Sequence, residues 1–178
     1  MQNMRNVPDI RYLLQKEEPW PALVLEQWKE TYDMLHLWTQ MVGKIKLELS
    51  PFLNHWWNVT LFPSASGLTT GLIPYKDLSF EMEFDFMAQC LFIRIDDGRW
   101  ESLSLRSGTI AEFYHELKEK LEFAGIDIHI WPVPVEMEDR LPFPEDRRER
   151  NSDPDAARNF WKCLVQASKV LHRFRSDC

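Results

Sequence analysis

Between Trp20 and Ile45 the apolar positions Leu25, Trp28, Tyr32, Leu35 and Val42 follow helical spacing, and Pro21 suits the first turn of such a helix. Its opposite side stacks Glu26, Lys29, Asp33, His36, Gln40 and Lys44 in one polar row. From residue 55 to 105 the period shortens to two, interrupted by "PSASG", "IPYKD" and "DDG", which predicts five strands. In "FEMEFDF" Phe80, Met82, Phe84 and Phe86 share one face, and Glu81, Glu83 and Asp85 the other. A turn at "MAQC" sets Phe86 opposite Leu91, Phe84 opposite Ile93, Met82 opposite Ile95 and Glu83 opposite Arg94. Leu103 and Leu105 reach the same face only across an odd-numbered connection. "DDG" supplies three residues, with Gly98 in the left-handed position of a bulged turn.

In "SGTIAEFYHELKEKLEFAG", Thr109 and Glu112 have capping-box spacing, Ile110, Phe113, Leu117 and Leu121 form the buried stripe, and Gly125 ends the helix. "IDIHIW" reads as a further strand. The connector at 132–153, rich in proline and charge, has no apolar period, and one this long is functional, disordered or strapped over a surface. Asp153 and Pro154 then open a last helix, with Arg158, Lys162, Gln166, Lys169 and Arg173 on its polar side and Phe160, Leu164, Leu171 and Phe174 on its apolar side. The order of elements predicts an α+β fold: a mostly antiparallel meander sheet of about six strands with helices packed on it. We read residues 1–178 as a single domain with an N-terminal extension at 1–19.

The stretch "NHWWN", 54–58, places two tryptophans side by side. Read as part of a strand "HWWNVTLF", it sends Trp57, Val59 and Leu61 into the core, with Trp57 fully buried. Trp56, Asn58, Thr60 and Phe62 then join the acidic face, Trp56 only partly covered. A face mixing aromatic and polar groups suits a ligand pocket or a partner surface. The candidate site combines His36, Gln40 and Lys44 of the helical row with Asn54, His55, Trp56 and Thr69. In it His36 or His55 is the acid or base, Lys44 binds an anion and Trp56 is the stacking wall, the two imidazoles lying within about 8 Å of each other through one bridging molecule. The plainer alternative is a solvated helix face and a strand-end histidine. For Glu81, Glu83 and Asp85 it is a solvated strand face.

Composition narrows the classes. With 44% hydrophobic residues and eight tryptophans among 178, the chain is globular. A net charge of −7 argues against a broad nucleic-acid surface. No apolar run suits a membrane span and "MQNMRNVPDIRYLL" is not a signal peptide, so the expected location is bacterial cytoplasm. Cys90, Cys163 and Cys178 match neither a disulfide framework nor a zinc pattern, and free thiols are expected. No metal is expected, since neither H-E-x-x-H nor paired-cysteine spacing occurs. Neither phosphate-binding glycine motifs nor G-x-S-x-G is present, and the cofactor, if any, stays unknown. The sequon Asn58-Val59-Thr60 falls within the expected strand and is read as chance.

The strings "LHLWTQMVGKI", "NHWWN", "GLTT", "IPY", "FEMEFDF" and "IWPVPVE", followed by "DPDAARNFWKCLVQASKVL", resemble in order the family catalogued as domain of unknown function 5996. The resemblance runs from about Trp20 to Phe174 and implies no particular reaction, cofactor or catalytic residue. It implies a further region rich in aromatics, histidine and glycine beyond "VLHRFRSD", so the chain is expected to be a fragment or a short variant. Two functions remain open at the level of sequence. One is a small-molecule binding or enzymatic domain with its pocket between the first helix and the sheet. The other is a protein-interaction module whose mixed face docks another chain or that further region. A closed concave pocket favours the first, a flat apolar patch the second.

Overall fold

The computed structural model describes residues 20–176. The expectations for 1–19 and Cys178 lie outside them. Helix α1 spans Leu25–Leu49, starting four residues after Pro21. Thr31, Met34, Leu35, Trp38, Met41, Val42 and Ile45 bury one stripe of it, whereas Leu25 and Tyr32, expected on that stripe, are exposed. The burial stripe is therefore rotated from the one the sequence suggested. Met34, Trp38 and Met41 set it, because three large side chains at helical spacing bury more apolar area than Leu25 and Tyr32.

Five antiparallel strands follow in simple meander order: β1 (Phe62–Pro63), β2 (Gly67–Tyr75), β3 (Leu78–Asp85), β4 (Cys90–Ile95) and β5 (Trp100–Ser104). The face carrying Phe80, Met82, Phe84, Leu91, Ile93 and Leu103 is fully buried. Helices α1 and α2 (Ile110–Phe123) pack on it, Trp38 of α1 stacking on Phe113 of α2 with centroids 5.0 Å apart. Thr109 and Glu112 form the expected capping box. Gly125, at φ +84, ends α2.

The β3–β4 hairpin keeps the expected faces but not the expected partners. Phe84 lies opposite Leu91, Met82 opposite Ile93, Phe80 opposite Ile95 and Glu81 opposite Arg94, a shift of two residues. Asp85 causes it: its Oδ1 accepts from the backbone N–H of both Met87 and Ala88 at 2.8 Å, which starts the turn earlier. A two-residue shift preserves alternation, so the pattern alone cannot detect it. At the next turn Leu91 faces Leu103, and Gly98 takes φ +92.

One expected strand does not form and another is cut short. "IDIHIW" keeps its alternation, with Ile126 buried, Ile128 and Ile130 half-buried, and Asp127, His129 and Trp131 exposed. It joins no strand. Instead, the Asp127 backbone N–H and C=O bond the Tyr75 hydroxyl, each at 3.0 Å. The sheet accordingly has five strands and not six. "HWWNVTLF" is a compact turn in which Trp57–Val59 form one turn of 3-10 helix, and only Phe62 and Pro63 are strand.

The connector is ordered over the surface. Phe143, within a 3-10 turn at Phe143–Glu145, is fully buried, and Asp146 is only 2% exposed. The Asp146 backbone carbonyl accepts from Ala111 N–H at 2.9 Å, which ties the connector to the first turn of α2. Helix α3 spans Pro154–Ser176 and lies against α1 and the β1–β2 side of the sheet. Phe160 and Trp161 are half-buried, whereas every residue from Lys169 to Ser176 is exposed.

Candidate functional site

The polar row of α1 borders a cleft of about 490 Å³ whose other wall is the connector, not the sheet. His36, Tyr32 and Leu37 line it from the helix, and Met137, Leu141 and Arg148 from the connector. His36 Nε2 is buried and has no hydrogen-bond partner among the described residues. Gln40 is spent on architecture: its side-chain amide exchanges two bonds with the Val135 backbone, at 2.7 and 2.8 Å. In the wall of the same cleft, Arg148 bonds both Asp146 oxygens, and Arg150 bonds Oδ2 at 2.7 Å. Burial alone would raise the Asp146 carboxyl, but these guanidinium bonds outweigh it and hold the group well below the usual carboxylate range. Sequence reading missed this centre, although "EDRRER", with arginines two and four residues after the aspartate, carries the signal.

The rest of the expected constellation is elsewhere. Asn54, His55 and Trp56 sit in the turn after α1, all exposed. His55 lies beyond a helix end that is thirteen residues past His36, about 20 Å along the axis at 1.5 Å per residue. The structure does not bring His36 and His55 together. Lys44, on α1, is half-buried, and burial lowers its ammonium from the usual lysine value. Thr69 donates to Glu81 Oε1 and accepts from Gly71 N–H at 2.9 Å, so its hydroxyl is engaged within the sheet.

The acidic row is engaged as well. Glu83 accepts from Ser64 Oγ at 2.6 Å, Ser66 Oγ at 3.0 Å and Arg94 Nη1 at 2.5 Å. Burial pushes its carboxyl up, and the three donors more than offset that, leaving it below the usual value. Among the described residues, no three of His, Cys, Asp and Glu converge into a group that would hold a metal ion.

The two tryptophans depart most from expectation. Trp57 is 59% exposed and Trp56 58%, while the polar Asn58 between them and Val59 is buried. Asn54 and Trp56 have positive φ, +46° and +62°, which an extended strand does not allow. The turn closes around Asn58, whose Oδ1 accepts from Leu53 N–H at 3.3 Å and whose Nδ2 donates to the Ser50 carbonyl at 3.5 Å. Lys46, 6% exposed, donates from Nζ to the Thr60 carbonyl at 2.7 Å and lies 5.1 Å from the Phe62 ring centre. Burying a polar side chain that satisfies the backbone turns both indoles outward, on the same turn as exposed Phe52 and Leu53. Phe52 meets Trp56 edge-on at 4.8 Å.

These features define a class: an α+β domain with one helix-covered sheet face, a strapped cleft and a fixed turn that displays aromatic side chains. The chain belongs to the family of unknown function DUF5996, whose model matches residues 20–178. No curated protein and no solved structure matches it. No helix among the described residues is long and apolar enough to cross a membrane.

Proposed function

We propose that this chain is an interaction module that binds another polypeptide through the aromatic turn after α1. One observation carries the reading: Trp56 and Trp57 are both more than half exposed on a turn that buried Asn58 holds closed. Exposed indoles gain the fold little, whereas rigid aromatic groups lose little entropy on binding and commonly anchor protein interfaces. Phe52, edge-on to Trp56, and exposed Leu53 enlarge the apolar surface of the turn. The test places a photo-crosslinking phenylalanine at position 57 and, as control, at exposed Glu119 on α2. A discrete polypeptide adduct at 57 that is absent at 119 is the expected result. Identical adduct patterns at the two positions, or none at 57, overturn it.

A small-molecule or enzymatic role is the second reading, and it attaches to the connector cleft. His36 Nε2 favours it, as a buried ring nitrogen without a partner among the described residues, in the wall of a cleft of about 490 Å³. Untargeted mass spectrometry of ligand released from the purified protein tests this reading. It requires a compound that the parent retains and the His36→Ala variant does not.

A further inference from the structure

We infer that β5 is the docking edge for a second copy of this chain, the two β5 strands pairing antiparallel about a two-fold axis at Ser102. The direction of the main-chain groups along β5 is fixed at both ends. Ile95 N–H donates to the Arg99 carbonyl and Leu105 N–H to the Gln89 carbonyl, each at 2.9 Å. The β4–β5 register runs unbroken between these bonds, so Glu101 and Leu103 also turn their N–H and C=O groups to β4. Trp100, Ser102 and Ser104 therefore turn theirs outward, and these outward groups have no partner among the described residues.

Free sheet edges are normally blocked, and the other edge of this sheet is. It carries Pro63 in β1, Pro74 in the stretch of β2 that β1 leaves unpaired, and a bulge between Thr69 and Leu72. Beside it, Trp161 of α3 donates to the Ser64 carbonyl at 3.2 Å. Strand β5 has no proline, no bulge and no lysine. With one edge blocked and one open, pairing closes at two copies and does not run on into a filament.

The strand is complementary to itself in one register. Centred on Ser102, every outward residue meets an outward residue: Ser102 its own equivalent, and Trp100 the Ser104 of the second copy. Glu101 meets Leu103 and already accepts from Lys120 at 2.9 Å, so no like charges stand opposite each other along the strand. Asp96 and Asp97 precede β5 with Arg99 as their counter-charge, and Arg106 follows it, so antiparallel pairing brings a net negative end to a positive one. Trp100 is 61% exposed on the open face of the sheet, edge-on to Phe92 at 6.1 Å, and the small side chain of the opposing Ser104 leaves room for its indole. An unrelated extended peptide would satisfy the same main-chain groups without this charge match.

Sedimentation of the full chain and of Ser102→Pro over a range of concentrations tests the pairing. The parent is expected to form a dimer. Proline at 102 deletes an N–H that faces away from β4, so the β4–β5 ladder stays intact while dimerisation weakens at least about tenfold. A parent that stays monomeric up to about 0.1 mM overturns the inference and leaves the edge to an unrelated peptide. A dimer that the proline does not weaken overturns it too. The register is read in a background with Cys90, Cys163 and Cys178 replaced by serine. On oxidation Ser102→Cys should link two chains, because equivalent Cα atoms on the axis lie about 5.5 Å apart, within disulfide range. Ser104→Cys, whose equivalents stand about 13 Å apart along the strand, should not. Should the proline variant fail to fold, these two cysteine variants decide: linkage at 102 alone supports the pairing, and linkage at both positions or at neither overturns it.

Discussion

At the scale of single residues, the turn at 54–59 inverts the usual order of value. Asn58 is small and polar, yet it satisfies the Leu53 N–H and the Ser50 carbonyl from inside the turn. Asn58→Ala should cost about 1–3 kcal/mol, the range for leaving buried backbone groups unpaired. Trp56→Ala and Trp57→Ala should each cost less than about 1 kcal/mol, since both side chains are mostly in water. Thermal melts of the three variants, side by side, check this order, and a large loss at either tryptophan contradicts it. Two glycines behave differently for geometric reasons. At Gly98, φ is +92° and a Cβ meets nothing within 4 Å, so Gly98→Val costs only conformational strain, about 1–2 kcal/mol. At Gly67 a Cβ would stand 1.7 Å from the Phe84 carbonyl oxygen, within the β2–β3 ladder. Gly67→Ala should therefore be the more damaging substitution, and melting temperatures of the pair will rank them.

At the scale of elements, the connector behaves as part of the fold because one buried carboxylate and one glutamine hold it. Asp146→Asn takes the carboxylate away from Arg150 and leaves Arg148 with Asp139 alone. It should cost on the order of 2 kcal/mol at neutral pH, below the range for fully buried pairs because Arg148 is half exposed. The Asp146 carboxyl is held below its unfolded value, so its contribution is complete above the ordinary aspartate pKa of about 4 and is lost as pH falls below it. Denaturant melts should show a constant gap between parent and D146N from about pH 8 to 5 that narrows at lower pH. A gap that widens on acidification would contradict the assignment. Gln40→Ala removes the two bonds to Val135 and should speed tryptic cleavage at exposed Arg140, with little change in global stability. Unchanged cleavage would mean that the apolar anchor Phe143 suffices to hold the strap.

At the scale of the molecule, charge and apolar surface are unevenly distributed. Helix α3 carries Arg158, Lys162, Lys169, Arg173 and Arg175 against Asp155 alone, within a chain of net charge −7. Its outer half and the aromatic turn both expose large apolar side chains. The sheet face opposite the helices is mixed: Glu83 is held by Ser64, Ser66 and Arg94, while Leu72 and Trp100 are exposed on the same face.

The sequence by itself determined whatever depends on local periodicity. The alternation of Phe80, Met82, Phe84, Leu91, Ile93 and Leu103 set the core face of the sheet, and Thr109 with Glu112 set the start of α2. Asp96-Asp97-Gly98 set the β4–β5 turn, and the family strings placed the chain in its family. Tertiary structure decided what periodicity leaves degenerate. A two-residue register shift leaves every face unchanged, so Asp85 could choose the pairing unseen. Extended alternation at 126–131 says nothing about whether a neighbouring strand is free to pair, and there Tyr75 takes the backbone bonds. For the candidate site, His36 was legible as part of a row on one helix, but the wall facing it comes from a connector about a hundred residues later. At "NHWWN" alternation misled because a short polar side chain buried in a turn satisfies more backbone groups than an indole can. Which of the two is buried depends on the carbonyl of Ser50 and the N–H of Leu53, and therefore on how the chain leaves α1.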